Sequence, residues 1–231
     1  MEIIAEIGQN HNGDMGLAKE LIETAKANGA DVAKFQLYDA KKLFSRKNNP
    51  WFDYNCKTEL SRNNVDRISR ICEDVKIEFM ASVFDIERIE WLEEVNVKRY
   101  KVASRSIFDD ELITAIVDTK KPVLVSLGMW QEQAFPKLPG KKTKYLYCIS
   151  NYPTSLEDIH LNKVDFNKYI GFSDHSIGIS AGIAALVRGA KIIEKHFTLD
   201  KEMYGPDHEC SMEPDELLIL SNCRNDFKLC L

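Results

Sequence analysis

Short apolar runs alternate with amphipathic segments along the whole chain. The runs are four to seven residues long and rich in Ile, Val, Phe and Tyr, as "EIIAEIG" and "KIIEKHF" illustrate, and this composition is typical of buried strands. The pattern predicts eight strands, at residues 2–8, 31–37, 78–83, 99–104, 122–128, 144–150, 169–174 and 191–197.

Helical periodicity fills most of the connections between these runs. In "DMGLAKELIETAKANG" (14–29) the apolar residues share one face, Asp14 can cap the start and Gly29 the end. Further helices are predicted near 64–75, 85–95, 109–118 and 178–188, and from about Glu213, with Pro214 in the first turn. The segment after residue 37 reads as a long polar connection containing Pro50, residues 129–143 show no clear helical period, and 155–167 has room for a short helix.

Alternating strands and helices indicate a parallel sheet. Eight units in 231 residues favour a closed (β/α)₈ TIM barrel that forms one domain over residues 1–231, with a doubly wound open sheet as the main rival.

Composition excludes several classes of protein. Hydrophobic residues make up 44% and charged residues 29% of the chain, and the net charge is −5 without a basic stripe, so we expect no nucleic-acid partner. We find neither a signal peptide nor an apolar stretch long enough to span a membrane. The six cysteines form no C-x-x-C pair, which favours reduced thiols in a cytoplasmic protein.

Polar and ionisable residues collect at the carboxyl ends of the predicted strands, where barrel enzymes place their active sites. Side chains at i and i+2 share a face of a strand, which brings one such group inward from almost every strand. The set comprises Glu6, Lys34, Gln36, Lys101, Ser104, Arg105, Ser126, Ser150, Tyr152, Ser173, His175, Glu194 and His196.

His175 and His196 end the last two predicted strands and can point at one spot, so we expect them to bind a metal ion, with the neighbouring carboxylates orienting the rings or lying behind them. The alternative is two structural histidines. Lys34 and Lys101 suit anion binding or, alternatively, a Schiff base. Asp207 follows in a turn, "GPDH", that could cover the site.

Seven segments of the chain resemble the sialic acid synthase family, which includes N-acetylneuraminate, legionaminate and pseudaminate synthases. They occur in order from residue 3 to about 217. The segments are "IAEIGQNHNGD", "AKFQ", "YKVAS", "SLGM", "YCISNYPT", "GFSDHSIGI" and "GAKIIEKHFTLDKEMYGPDHECSMEPDEL".

The resemblance implies a (β/α)₈ barrel that condenses phosphoenolpyruvate with an N-acyl amino-sugar aldehyde of ManNAc type and releases phosphate. It implies that His175 and His196 hold a divalent metal, Mn²⁺ first, with Mg²⁺ or Co²⁺ as alternatives. We expect Glu6, Glu194 and Lys101 to be catalytic, and a homodimer remains open. By position in the family motifs, the substrates would be held by Lys34, Gln36, Ser104, Ser126, Tyr152, Ser173 and Asp207. To these we add Ser150 and Arg105, from their places at or just after the ends of the sixth and fourth predicted strands.

Two departures from the family pattern affect these expectations. Family members usually carry a C-terminal antifreeze-like domain that contributes an arginine to the sugar site, and the barrel pattern here reaches the end of the chain. Arg105 stands in "KVASRS" where many members have glycine, and either replaces that charge or is a solvated loop residue. A Schiff-base aldolase on the same barrel is the second enzyme hypothesis. A sugar-phosphate-binding barrel that needs a partner for activity is the third.

Overall fold

A computed structural model describes residues 1–132, 134–138 and 142–230. Eight parallel strands close into a barrel in the order β1 to β8, with β1 paired to β8. The (β/α)₈ prediction is therefore confirmed, and the open-sheet alternative is wrong. The strands are β1 Glu2–Gly8, β2 Val32–Leu37, β3 Glu78–Val83, β4 Tyr100–Val102, β5 Val123–Ser126, β6 Thr143–Cys148, β7 Gly171–Asp174 and β8 Ile192–His196.

Helices surround the barrel less regularly than the sequence pattern predicts. The part of the chain that the structure describes contains α1 Met15–Ala27, α2 Ala40–Leu43, α3 Phe52–Lys57, α4 Arg62–Asp74, α5 Glu87–Glu94, α6 Asp110–Asp118, α7 Ser180–Val187 and α8 Pro214–Cys230. Between β6 and β7 the short helix is replaced by two 3₁₀ turns, Leu156–Asp158 and Leu161–Lys163. In the connection after β5, the described residues 127–132, 134–138 and 142 form no helix, and the rest of that prediction lies outside the described residues.

The polar connection predicted after β2 is wrong in part, because it holds α2 and α3. The Tyr54 hydroxyl on α3 donates to the Gln9 carbonyl at 3.0 Å and to Asn12 Oδ1 at 2.6 Å. These bonds attach α3 to the loop that follows β1. The tertiary contacts stabilise a helix that is too short to persist by itself.

Local capping sets the limits of the longer helices. The Asp14 side chain accepts hydrogen bonds from the backbone of Gly16 and Leu17 at the start of α1, as predicted. Just beyond its end, Gly29 has a φ of +94°, a conformation that glycine adopts without a steric penalty. Ser61 and Asn64 form a reciprocal capping box at the start of α4.

Two apolar layers leave the upper end of the barrel for polar groups. The larger layer fills the space between strands and helices. A smaller cluster inside the barrel plugs its lower part and consists of Ile4, Val32, Met80, Leu124, Leu146 and Ile192. Two residues further along β1, β2 and β8, the same inward face carries Glu6, Lys34 and Glu194, all buried. Charged groups thus replace apolar packing at the carboxyl ends of the strands.

Within the described residues, we find no helix with the length and apolar character needed to cross a membrane.

Candidate active site

A cavity opens at the carboxyl ends of the strands, above the apolar plug. It brings together most of the residues singled out in the sequence, whereas Arg105, Ser150 and Asp207 are outside its lining. The predicted residues that line it are Glu6, Lys34, Gln36, Lys101, Ser104, Ser126, Tyr152, Ser173, His175, Glu194 and His196.

Four buried charges form the floor of this cavity. Lys34 Nζ lies 2.7 Å from Glu6 Oε2 and 3.4 Å from Glu194 Oε2, and Lys101 Nζ lies 3.2 Å from Glu194 Oε1. None of the four side chains is more than 5% exposed. The lysines and carboxylates therefore neutralise one another in a region where isolated charges would be costly.

Neutral side chains hold the two carboxylates in place. Gln36 Nε2 donates to Glu6 Oε1 at 2.9 Å, and Ser173 Oγ donates to Glu194 Oε1 at 2.7 Å. Ser82, which the sequence reading did not single out, accepts from Lys34 Nζ at 3.3 Å. Three of the four charges, Glu6, Glu194 and Lys34, are thus oriented by a side chain on a neighbouring strand.

The environment separates the acidities of the two glutamates. Burial raises the pKa of Glu6 and outweighs the opposing effect of Lys34. Burial also opposes ionisation of Glu194, but Lys101 and Lys34 prevail and lower its pKa to about 2. Glu194 is therefore ionised at neutral pH, and Glu6 is the better proton carrier.

The two lysines also differ. Burial would lower the pKa of Lys34, but the carboxylates of Glu194 and Glu6 prevail and raise it. Burial lowers the pKa of Lys101, and Glu194 compensates only in part. Lys34 is consequently favoured in its cationic form, whereas Lys101 is the group closer to losing its proton.

The two histidines face the same space, as the sequence predicts. Their ring centroids lie 5.9 Å apart. His175 Nδ1 lies 2.7 Å from the carbonyl oxygen of Ile149, so Nδ1 carries the proton and Nε2 is the free ligand atom. Burial lowers the pKa of His175 to about 3 and also lowers that of His196. Both rings are therefore neutral at pH 7.

Direct orientation of these rings by the neighbouring carboxylates, the first of the two roles expected for them, is wrong, because both carboxylates pair with lysines. Asp174 pairs with Lys195, and Glu194 pairs with Lys34 and Lys101. The cause is strand alternation, which directs residue 174 away from the cavity. The ring of His175 is held by the carbonyl of Ile149. The buried Nδ1 of His196 has no hydrogen bond to any described residue, and Asp207 Oδ2 lies 3.9 Å away.

This donor set fits a divalent ion with two protein ligands. Neutral imidazole nitrogens are suitable donors for Mn²⁺, Co²⁺ or Mg²⁺ in an octahedral site with open positions. Within the described ranges, no group of three or more His, Cys, Asp or Glu side chains is arranged to hold a metal. His175 and His196 would be the only side-chain ligands from those ranges.

A group of serine hydroxyls lies at the carboxyl ends of β4 to β6. Among the described residues, the buried hydroxyls of Ser126 and Ser150 have no hydrogen-bond partner, and Ser104 Oγ accepts from the backbone amide of Gly128 at 3.0 Å. A Cβ at Gly128 would lie 2.4 Å from Ser150 Oγ and 3.0 Å from Ser104 Oγ. Only glycine allows these groups to approach so closely, and buried hydroxyls without partners suit a hydrogen-bonding ligand.

Three predicted residues lie around the mouth. The half-exposed Tyr152 stacks near His175, with ring centroids 4.0 Å apart. Asp207 faces His196 from the loop after β8, and burial raises its pKa. Arg105 is exposed in a 3₁₀ turn, and its guanidinium lies over the rings of Phe44 and Phe84 at 5.4 and 5.9 Å.

Besides Ser82, sequence reasoning missed two further features of the site. Cys148 lines the cavity, 3.5 Å from Ser104 Oγ and 3.9 Å from His175 Nδ1. Strand alternation could have found it, because Leu146 and Cys148 share the inward face of β6. The carbonyl of Ile149 is a backbone group, and no residue type in the sequence marks it.

Comparison with known proteins finds a matching family model and similar synthases. The model of the NeuB family matches residues 21–228. The chain is 36% identical over 244 residues to the N,N'-diacetyllegionaminic acid synthase of Legionella pneumophila, covering 93% of this chain and 68% of that protein. It is 35% identical over 239 residues to the human N-acetylneuraminate-9-phosphate synthase, covering 93% and 67%.

A solved structure agrees with these relatives. The N-acetylneuraminic acid synthetase of Leptospira borgpetersenii, crystallised with citrate, superposes with a TM-score of 0.91 at 30% identity. The superposition covers 99% of this chain and 84% of that one.

The charge cluster predicts a specific pH dependence. The pKa of Glu194 falls from 4.5 to about 2 on folding, so its contribution to stability is complete above about pH 5 and is lost as the pH falls toward 2. We expect Glu194→Gln to lower the free energy of unfolding at pH 7 by roughly 3 kcal/mol, since Lys101 loses its partner. The deficit should shrink toward pH 2.5, measured by urea unfolding with EDTA present.

Glu6→Gln is the matched control. Its pKa is raised by burial, so ionised Glu6 contributes no such stabilisation, and the loss at pH 7 should be smaller. Parallel pH profiles for the wild-type protein and Glu194→Gln would contradict the charge assignment.

Proposed function

This chain belongs to the NeuB family, and we propose that its barrel condenses phosphoenolpyruvate with an N-acyl amino-sugar aldehyde of ManNAc type. The product would be a sialic-acid-type nonulosonic acid, together with phosphate. The observation that carries the proposal is the buried Glu6–Lys34–Glu194–Lys101 cluster beside two neutral histidines.

The cationic and hydroxyl groups suit phosphoenolpyruvate, which carries a phosphate and a carboxylate. Lys34 and Lys101 supply positive charge, and Ser126 and Ser150 supply hydroxyls that lack partners in the part of the chain that the structure describes. An anion bound here would gain charge-assisted hydrogen bonds in a region that water scarcely reaches. The enol phosphate would thus be held by both the lysines and the serines.

The histidine side of the cavity suits the sugar aldehyde. A divalent ion held by His175 and His196, Mn²⁺ before Mg²⁺ or Co²⁺, would supply Lewis-acid polarisation of the carbonyl. Gln36, Tyr152 and Asp207 lie on this side and offer hydrogen bonds to a polyol. Arg105, at the rim, would meet the far end of a longer substrate.

The two glutamates suit the two charges that develop during the reaction. The enol carbon attacks the aldehyde carbon, a C–C bond forms, and C2 becomes cationic. Ionised Glu194 stabilises this cation, while Glu6, with its raised pKa, takes a proton from the water that adds to C2. One proton of that water ends on the former aldehyde oxygen, and the other leaves with phosphate when C2–O breaks.

A Schiff-base aldolase is the second candidate, because burial lowers the pKa of Lys101 and an imine requires a neutral amine. Against it, Lys101 lies 3.2 Å from the ionised Glu194, which stabilises the ammonium form.

Turnover tests the proposal directly. The purified chain with Mn²⁺ should release phosphate from phosphoenolpyruvate only when an N-acetylated hexosamine from a panel is added. Lys101→Gln should reduce the rate by at least about a hundredfold, since a buried cation at the reacting anion is lost. The matched control is Lys98→Gln, an exposed lysine, which should have wild-type activity.

Borohydride trapping of a keto acid on Lys101 would favour the aldolase instead, and no turnover by the purified chain would favour a binding barrel that needs a partner.

Metal removal gives a separate test. EDTA should abolish phosphate release, and Mn²⁺ or Co²⁺ should restore it. His196→Ala should lose Mn²⁺ binding and remain folded, because a strand-end side chain contributes little to the apolar core. His160→Ala is the control, an exposed histidine in a loop. Unaltered Mn²⁺ affinity in His196→Ala would contradict the assignment.

A further inference from the structure

A second buried ion pair lies behind the two histidines, and the proposed chemistry makes no use of it. Asp174 and Lys195 are register partners on β7 and β8. Lys195 Nζ lies 3.1 Å from Asp174 Oδ2, and both side chains are 0% exposed. The carboxylate faces α7, since a Cβ at Gly182 would lie 3.8 Å from Asp174 Oδ2. The pair is therefore on the outer face of the barrel wall.

This pair also holds the residue that follows His175. Asp174 Oδ1 accepts from the backbone amide of Ser176 at 2.9 Å and from its hydroxyl at 2.7 Å. Lys195 Nζ donates to the carbonyl oxygen of Ser176. The residues on both sides of His175 are thus bound to Lys195, which itself immediately precedes His196.

The backbone pairing of the two strands explains why such a link matters. The ladder between β7 and β8 ends at Asp174 and Lys195, so His175 lies beyond its last partner. The bond from Lys195 to the carbonyl of Ser176 continues the connection one step further across the strands. On the other side, the Thr154 amide donates to the carbonyl of His175 at 2.9 Å. The backbone of His175 is consequently tied on both sides.

Stability alone does not account for a pair in this position. Two fully buried charges lose their hydration, and apolar residues of similar volume often serve a fold equally well or better. Groups that orient metal ligands from behind, by contrast, commonly change metal affinity by about 10- to 100-fold. We propose that Asp174 and Lys195 are positioning residues that fix the distance between the imidazoles of His175 and His196 and thereby set the affinity of the metal site.

The inference rests on the proposed function, in which these histidines bind a divalent ion. The test therefore begins with the wild-type chain and His175→Ala, titrated with Mn²⁺ alone and followed by electron paramagnetic resonance. If the wild-type protein binds no more Mn²⁺ than His175→Ala, the metal assignment fails, and the positioning role fails with it.

The decisive variant combines Asp174→Asn with Lys195→Met. It removes both charges together, retains an oxygen for the bonds from Ser176, and cuts the link between the strands. We expect a folded protein, judged by circular dichroism and cooperative thermal unfolding, whose Kd for Mn²⁺ is at least about tenfold higher. A folded double variant with wild-type affinity would overturn the inference while leaving the metal assignment intact.

The chain offers a matched control at the opposite end of the barrel. Asp31, before β2, pairs with Arg224 on α8, and Asp31→Asn with Arg224→Met removes that pair with the same kinds of substitution. Its Mn²⁺ affinity should equal that of the wild-type protein, and a similar loss there would overturn the inference. If the decisive variant does not fold, Asp174→Asn alone serves. We expect its Kd to rise at least about threefold, and an unchanged value would equally contradict the positioning role.

Discussion

Two lysines and two glutamates share a space that water scarcely reaches, and the state of each depends on the others. Lys34 lies between Glu6 and Glu194, and Lys101 is paired with Glu194. Because an unpaired charge in this position would be costly, the four strands that carry these groups must keep their register. The same arrangement lowers the pKa of Glu194 to about 2, so that it is ionised at neutral pH, whereas burial raises the pKa of Glu6. The same ion pairs therefore constrain the register of the strands and set the pKa values of the two glutamates.

The barrel accommodates this charged cluster because its apolar and polar side chains occupy separate layers along its axis. The plug that includes Ile4, Met80 and Leu146 fills the interior below the site, and α3 attaches to the loop after β1 above it. On β7 and β8, successive side chains point alternately into the cavity and away from it. Inward residues Ser173 and Glu194 form a hydrogen bond at the cavity. Their outward neighbours Asp174 and Lys195 pair on the other face of the same wall.

Much of this architecture could be predicted from the sequence, because its signals are local. Strand positions follow from apolar runs, and inward placement of Glu6 and Lys34 follows from a period of two. α3 could not be predicted, since its stability comes from contacts between distant segments such as Tyr54 and Gln9. The orientation of His175 depends on a backbone carbonyl, which no residue type reveals. The pairing of Asp174 with Lys195 requires the register between β7 and β8, and periodicity within one strand does not supply that register.

The central claim is that the barrel joins carbon to carbon and expels phosphate by breaking the C2–O bond of phosphoenolpyruvate. The fate of the bridging oxygen tests this most directly. Phosphoenolpyruvate labelled with ¹⁸O at the bridging position should be converted with an N-acyl amino sugar, and the inorganic phosphate analysed by mass spectrometry. The account predicts that the label appears in phosphate, because water adds at C2 and the bridging oxygen departs with phosphorus. Label retained on C2 of the product, under conditions where that oxygen does not exchange with water, would contradict it.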